Sequence, residues 1–196
     1  MPDWLDNVDD IAHVYLELLD RLDLVAVDVV GCSIGGWIAA EMATKAPERI
    51  RRLVMVGPVG VKVGGPDKLD IPDIFAMPQD EAGKLLFHDA AKMKIDPANL
   101  SDDELGIMFR NRETLALLVW EPWMHNPKLR RRLHRADMPA LFVRGESDGL
   151  VSAEYLQAYA RLLPNSRTVA IGAAGHAPHL EQPQAFASTV LAFLEE

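Results

Sequence analysis

The chain has 196 residues, of which 49% are apolar, with a formal net charge of −9. That length suits one well-buried domain rather than two, and the apolar fraction excludes a disordered chain. The acidic balance argues against a nucleic-acid partner, which needs a basic surface. Cys32 is the only cysteine, which excludes an internal disulfide framework. The acidic N-terminus carries no apolar signal core, and no apolar run reaches membrane-spanning length. A soluble, cytoplasmic protein without a membrane partner is the expectation.

In chain order, Val8 to Leu22 has helical periodicity, with Val8, Ile11, Tyr15, Leu18, Leu19 and Leu22 on one face. Leu24-Val-Ala-Val-Asp-Val-Val30 is almost continuously apolar and suits a strand buried on both faces of a parallel sheet. Gly31 to Gly36 is a turn, Trp37 to Lys45 a helix of small residues closed by Pro47, and Ile50 to Val56 a second buried strand.

From Gly57 to Asp137 the pattern changes. Proline and glycine punctuate its first part, as in Gly57-Pro58 and Gly64-Gly65-Pro66. Ser101-Asp-Asp-Glu104 has the spacing of a capping box opening a helix, and Asn126-Pro127 predicts another helix through His134. That second helix would present Lys128 to Arg135 as a solvated basic face. Strand character returns at Ala140 to Val143 and Arg167 to Ile171, with a helix over Ala153 to Leu163 between them. Pro183 opens a last helix carrying Phe186, Val190, Phe193 and Leu194 on one face. The alternation predicts an α/β fold: a short, mainly parallel sheet of about four strands flanked by helices. The core covers residues 1–58 and 138–196, with a helical insertion over 59–137.

Gly31-Cys32-Ser33-Ile34-Gly35 fits the G-x-S-x-G turn that exposes a nucleophilic serine between a strand and a helix. Such a match arises by chance ~7% of the time in a chain this long, so the flanking strand and helix decide in its favour. Glycines on either side of the serine remove side chains that would crowd the turn. The helix N-terminus behind it favours negative charge. A serine hydroxyl needs a base, and the base needs a carboxylate to fix its tautomer. His176 follows the last strand and Asp148 the strand before it, both on the sheet edge where the turn emerges. Glu146 is a rival acid. His179 invites a metal reading, but no acidic cluster joins it, and no metal or cofactor is expected.

The segments Gly-Cys-Ser-Ile-Gly-Gly, Gly-Glu-Ser-Asp-Gly-Leu-Val and Gly-His-Ala-Pro-His-Leu-Glu-Gln-Pro resemble the signature segments of the α/β-hydrolase superfamily. The branch they are most similar to holds meta-cleavage-product (C–C bond) hydrolases and small carboxylesterases. The resemblance implies a triad of Ser33, Asp148 and His176, an acyl-enzyme intermediate in esterases, and an oxyanion donor at the Ile34 N–H. It also implies that the insertion is a cap over a pocket for a small to medium apolar ester. Trp120, Trp123 and Val151 are the candidate substrate-binding residues. Family members normally begin with further strands and a His-Gly oxyanion loop. Nothing before Trp4 resembles these, and no His-Gly pair occurs. The resemblance therefore implies an N-terminally truncated form of the fold, with a catalytically silent binding protein as the alternative. Without those strands, 24–30 becomes a sheet edge, from which a homo-oligomer is expected.

Overall fold

The computed structural model describes Pro2 and residues 4–196. Met1 and Asp3, part of the acidic stretch read above, lie outside the described residues. Four strands form one parallel sheet whose spatial order is the chain order: β1 (Val27–Cys32), β2 (Ile50–Val56), β3 (Ala140–Gly145) and β4 (Ser166–Ile171). Side chains alternate across it. Leu53, Met55, Ala140 and Phe142 face a core shared with α1 (Val8–Arg21), α2 (Ile34–Lys45) and α6 (Ala153–Ala160). Val54, Val56, Leu141, Val143 and Ile171 face the opposite way, onto Val190 and Phe193 of α8 (Pro183–Leu194). This two-sided burial is what an unbroken apolar strand composition requires.

The register fixes where chemistry can occur. Cys32 pairs with Val56, Val56 with Val143, and Val143 with Val169, so the C-terminal ends of the strands are level. Ser33, Gly57 and the loops leading to Asp148 and His176 all leave from that edge.

Between β2 and β3 the chain makes an excursion that adds no strand to the sheet. It holds α3 (Gln79–Leu86), the single turn α4 (Ala90–Met93) and α5 (Asp102–Val119). Ser101 and Glu104 close the reciprocal capping box that opens α5. The expected helix from Pro127 to His134 is replaced by two 3₁₀ turns, Leu129–Arg131 and Leu133–Arg135. There Leu129 and Leu133 are both fully buried, while Arg130 donates to Lys62 O and Arg132 pairs with Asp9. The turn opens from Lys128 with no side-chain cap, so Asn126 is not the helix N-cap expected; its Oδ1 instead accepts from Lys128 N. Its Nδ2 is held by the fully buried Glu41 at 2.7 Å. Glu41 also accepts from Trp37 Nε1 and lies 3.4 Å from Lys45 Nζ, which in turn pairs with Asp9. This buried carboxylate joins α2, α1 and the returning arm of the excursion, and its charge is tolerable there because donors surround it.

Two expectations for the N-terminal part are corrected. The strand runs over Val27–Cys32 rather than 24–30, and it is not buried on both faces: Val30 is 45% exposed. The inner face of α1 carries Val8, Ala12, Leu16 and Leu19, whereas Tyr15, Leu18 and Leu22 are exposed. Both follow from one cause. Among the described residues no strand lies outside β1, so its outer backbone groups are unpaired. A groove of about 420 Å³ runs beside it, lined by Tyr15, Leu18, Val29, Ile38 and Met42 among others. We propose that a second copy covers this edge, because two like open edges satisfy each other's backbone groups about a twofold axis. Light scattering at micromolar concentration is expected to give a dimer, and Val30→Lys a monomer of unchanged circular dichroism. A monomeric parent chain would overturn the assignment.

Candidate active site

Ser33 stands between β1 and α2 with φ +54° and ψ −117°, a conformation that non-glycine residues rarely adopt. Its N–H donates to Val56 O at 2.8 Å, which pins the turn to the end of β2. Gly31 makes the turn possible, since a Cβ there would lie 2.3 Å from Gly35 O. The second glycine of the pattern is not needed for space, contrary to the sequence reading: a Cβ on Gly35 meets nothing within 4 Å. The close approach on that side belongs to Gly36, whose Cβ would fall 2.8 Å from Pro58 Cβ. Ile34 opens α2, where first-turn N–H groups have no intrahelical acceptor. Cys32 is half-buried, and burial pushes its thiol above the usual range, away from the reactive thiolate.

On the neighbouring loops, His176 Nδ1 lies 2.9 Å from Asp148 Oδ2. Asp148 is 3% exposed, and its other oxygen accepts from Leu150 N and Val151 N, each at 2.9 Å. Two backbone donors and an imidazole therefore hold the carboxylate in one orientation. Arg144 wraps the same loop, donating to Asp148 O and Val151 O. Glu146, the rival acid, is exposed and has no contact with the imidazole. His176 Nε2 is buried without a hydrogen-bond partner, and no hydrogen bond joins it to Ser33 Oγ. The atom that a serine hydroxyl would have to reach is thus unoccupied by any other protein group.

The residue that brings these parts together is one the sequence reading treated as mere loop punctuation. Gly57 follows β2, has φ +49°, and donates to Val143 O. A Cβ there would lie 2.9 Å from His176 Nδ1 and 3.3 Å from Asp148 Oδ2. The imidazole and carboxylate lie directly against this glycine, one residue beyond the Val56 carbonyl that holds Ser33. A glycine at the C-terminal end of a central strand was the available signal.

Val151 is fully buried and serves the acid through its N–H. Trp120 and Trp123 form a separate cluster on the excursion, edge to face at 5.8 Å, with Phe75 packed against Trp123 and the Trp123 Nε1 donating to Ile71 O. Trp120 is 58% exposed. His179 packs beside Phe186, and burial, with His176 nearby, lowers its imidazole below the ordinary value. Among the described residues, no three His, Cys, Asp or Glu side chains gather as metal ligands. Among the described residues, no helix is long and apolar enough to cross a membrane.

A parallel sheet, a strained serine between strand and helix, and a histidine–aspartate pair beside it define an α/β hydrolase. The chain belongs to the alpha/beta hydrolase family, which it matches over residues 2–189. It is 28% identical to a 2-hydroxymuconate semialdehyde hydrolase of Pseudomonas putida, covering 91% of this chain and 66% of that one. It is 26% identical to a pimeloyl-[acyl-carrier protein] methyl ester esterase of Nitrosomonas europaea, covering 94% and 76%. A meta-cleavage product hydrolase of Pseudomonas fluorescens IP01 superposes with TM-score 0.75 at 17% identity, over all of this chain and 74% of that one. The chain thus spans roughly two thirds to three quarters of the length of these proteins.

The seat at Gly57 is directly testable. Gly57→Ala is expected to displace the imidazole and to cost about 1–3 kcal/mol in urea unfolding, from strain and contact. In the proton NMR spectrum, the far-downfield N–H resonance of a histidine bonded to a carboxylate is expected in the parent and lost in the variant. Retention of that resonance unshifted would show that the seat is not needed.

Proposed function

We propose that the chain is a serine hydrolase that cleaves carboxylic esters of small to medium apolar substrates, with Ser33 as nucleophile, His176 as base and Asp148 as the orienting acid. The observation that carries this reading is the strained backbone of Ser33, pinned to Val56 next to the Gly57 against which lies a histidine whose Nδ1 is held by a buried carboxylate and whose Nε2 is free. The ester esterase among the relatives supports the substrate class. In this mechanism His176 Nε2 takes the hydroxyl proton as Ser33 Oγ attacks the ester carbonyl. The Ile34 N–H, at the positive end of α2, stabilises the oxyanion. The tetrahedral species collapses to an acyl-serine as His176 returns the proton to the leaving alkoxide. Water, deprotonated by the same imidazole, then releases the acid and restores Ser33. The excursion between β2 and β3 acts as the cap, with Trp120 and Trp123 offered to the substrate.

A second reading is C–C bond hydrolysis of a vinylogous diketone acid, favoured by the 28% identity to a 2-hydroxymuconate semialdehyde hydrolase. Parallel assays with a short p-nitrophenyl ester and with such a diketone acid separate the two by the ratio of their kcat/KM values.

Exposure to a fluorophosphonate is expected to leave one adduct per chain, on Ser33 by mass spectrometry; an unlabelled chain would favour a silent binding protein. Ser33→Ala and His176→Ala are each expected to lower ester hydrolysis by on the order of 10⁴-fold or more, and the double variant by no more than either alone. Asp148→Asn is expected to be severely impaired by the wrong tautomer, and Glu146→Gln close to the parent.

A further inference from the structure

One short stretch of the excursion touches both loops that carry the acid and the base. Where α3 ends, Leu85 O accepts from Gly149 N at 2.9 Å and Leu86 O accepts from His176 N at 2.6 Å. The first bond is to the residue after Asp148, the second to the histidine itself. The approach is closer than side chains permit. A Cβ on Gly149 would lie 2.8 Å from Leu85 O, and one on Gly175 would lie 2.3 Å from Leu86 O and 2.7 Å from Phe87 Cα. Both loops thus carry glycine where the segment lies against them. Two further contacts follow. His88 Nδ1 lies 2.8 Å from Ser147 Oγ, next to Asp148, and Asp89 N donates to Glu181 Oε1 at 3.0 Å. The second oxygen of Glu181 accepts from Gly175 N at 2.6 Å, one residue before His176.

We propose that Glu181 is a positioning residue whose carboxylate ties the base loop to excursion segment 85–89, so that the seating of this segment sets the geometry of His176 against Asp148. This rests on the triad reading above. The residue type follows from the chemistry of its partners. Both are backbone N–H donors, so the side chain must accept on two oxygens at once. A carboxylate does so with charge-assisted strength; an amide must turn its NH₂ toward one of them. The side chain makes no hydrogen bond to Ser33 or to the imidazole. It acts on the backbone from which the imidazole hangs, and through Asp89 on the segment whose Leu86 carbonyl holds His176 from the other side. The acid loop is held by the same segment at Gly149 and Ser147, so one strip of chain fixes both partners of the pair.

The test compares the parent chain, Glu181→Gln, Glu181→Asp and His88→Ala, each checked for parent-like circular dichroism. The rate of Ser33 phosphonylation by a small fluorophosphonate reads the readiness of the base without demanding substrate recognition. Glu181→Gln is expected to label roughly tenfold more slowly and to lose kcat on a p-nitrophenyl ester by a similar factor with KM little changed, as a misplaced catalytic group does. Glu181→Asp is expected to recover part of that loss, and His88→Ala, at an exposed side chain, to slow labelling about threefold. A parent chain that is not labelled at all defeats the triad reading and this proposal with it. Labelling of the parent and of all three variants at one rate leaves the triad standing and overturns the positioning role. Should Glu181→Gln not fold, His88→Ala decides alone: a parent-like rate overturns the role of the segment, and a slowed one supports it.

Discussion

The site depends on the absence of a side chain at Gly57. The sheet register brings the ends of β1, β2 and β3 level, so whatever follows β2 must stand between the serine turn and the loop of the acid. Any larger residue would occupy the space in which His176 meets Asp148. Its left-handed backbone also lets the chain turn away at once toward Pro58, which packs on Gly36 and supports the other side of the serine turn. A single residue without a Cβ thus lets three loops converge, and the polar groups of each are then satisfied across the gap: Gly57 N to Val143 O, Glu146 N to Ile171 O, Ser147 N to Ala174 O. Convergence of this kind holds the groups in place before any substrate arrives.

Around that point the protein uses two kinds of support. Apolar burial on both faces fixes the central strands β2 and β3, and therefore the row from which the loops leave. Burial is not directional, and orientation comes from polar groups placed where water is excluded. Asp148 is aimed by two N–H groups, and Arg144 closes its loop through carbonyls. The buried Glu41 anchors the returning arm of the excursion to α2, the helix whose first turn faces the serine. The excursion is therefore fastened at both of its ends to elements that carry the site.

Much of this was legible in the sequence, and the failures share a physical cause. β2 was read at its true limits because both faces are covered from Leu53 to Val56, which makes that run continuously apolar. The strand of the serine turn was displaced by three residues at its start, because apolar Leu24 and Val25 look like strand yet lie in the approach to an uncovered edge. The stripe on α1 was read too wide for the same reason: Tyr15 and Leu18 face a groove where a neighbour was assumed. The helix expected after Pro127 fails because its leucines are both drawn into the core while its arginines reach separate anchors. Ser33, Asp148 and His176 could be chosen from local motifs. Glu181 could not, since its meaning lies in what approaches it through space, and Gly57 is marked only by its place at the end of β2.

The strictly sequential sheet also governs the order in which the site comes into being. Each new strand adds to the edge left by the one before, so a chain growing from its N-terminus holds a formed serine turn long before it holds a base. The proposed acid follows β3 and the proposed base follows β4, so the pair that would activate the proposed nucleophile assembles at the last crossover.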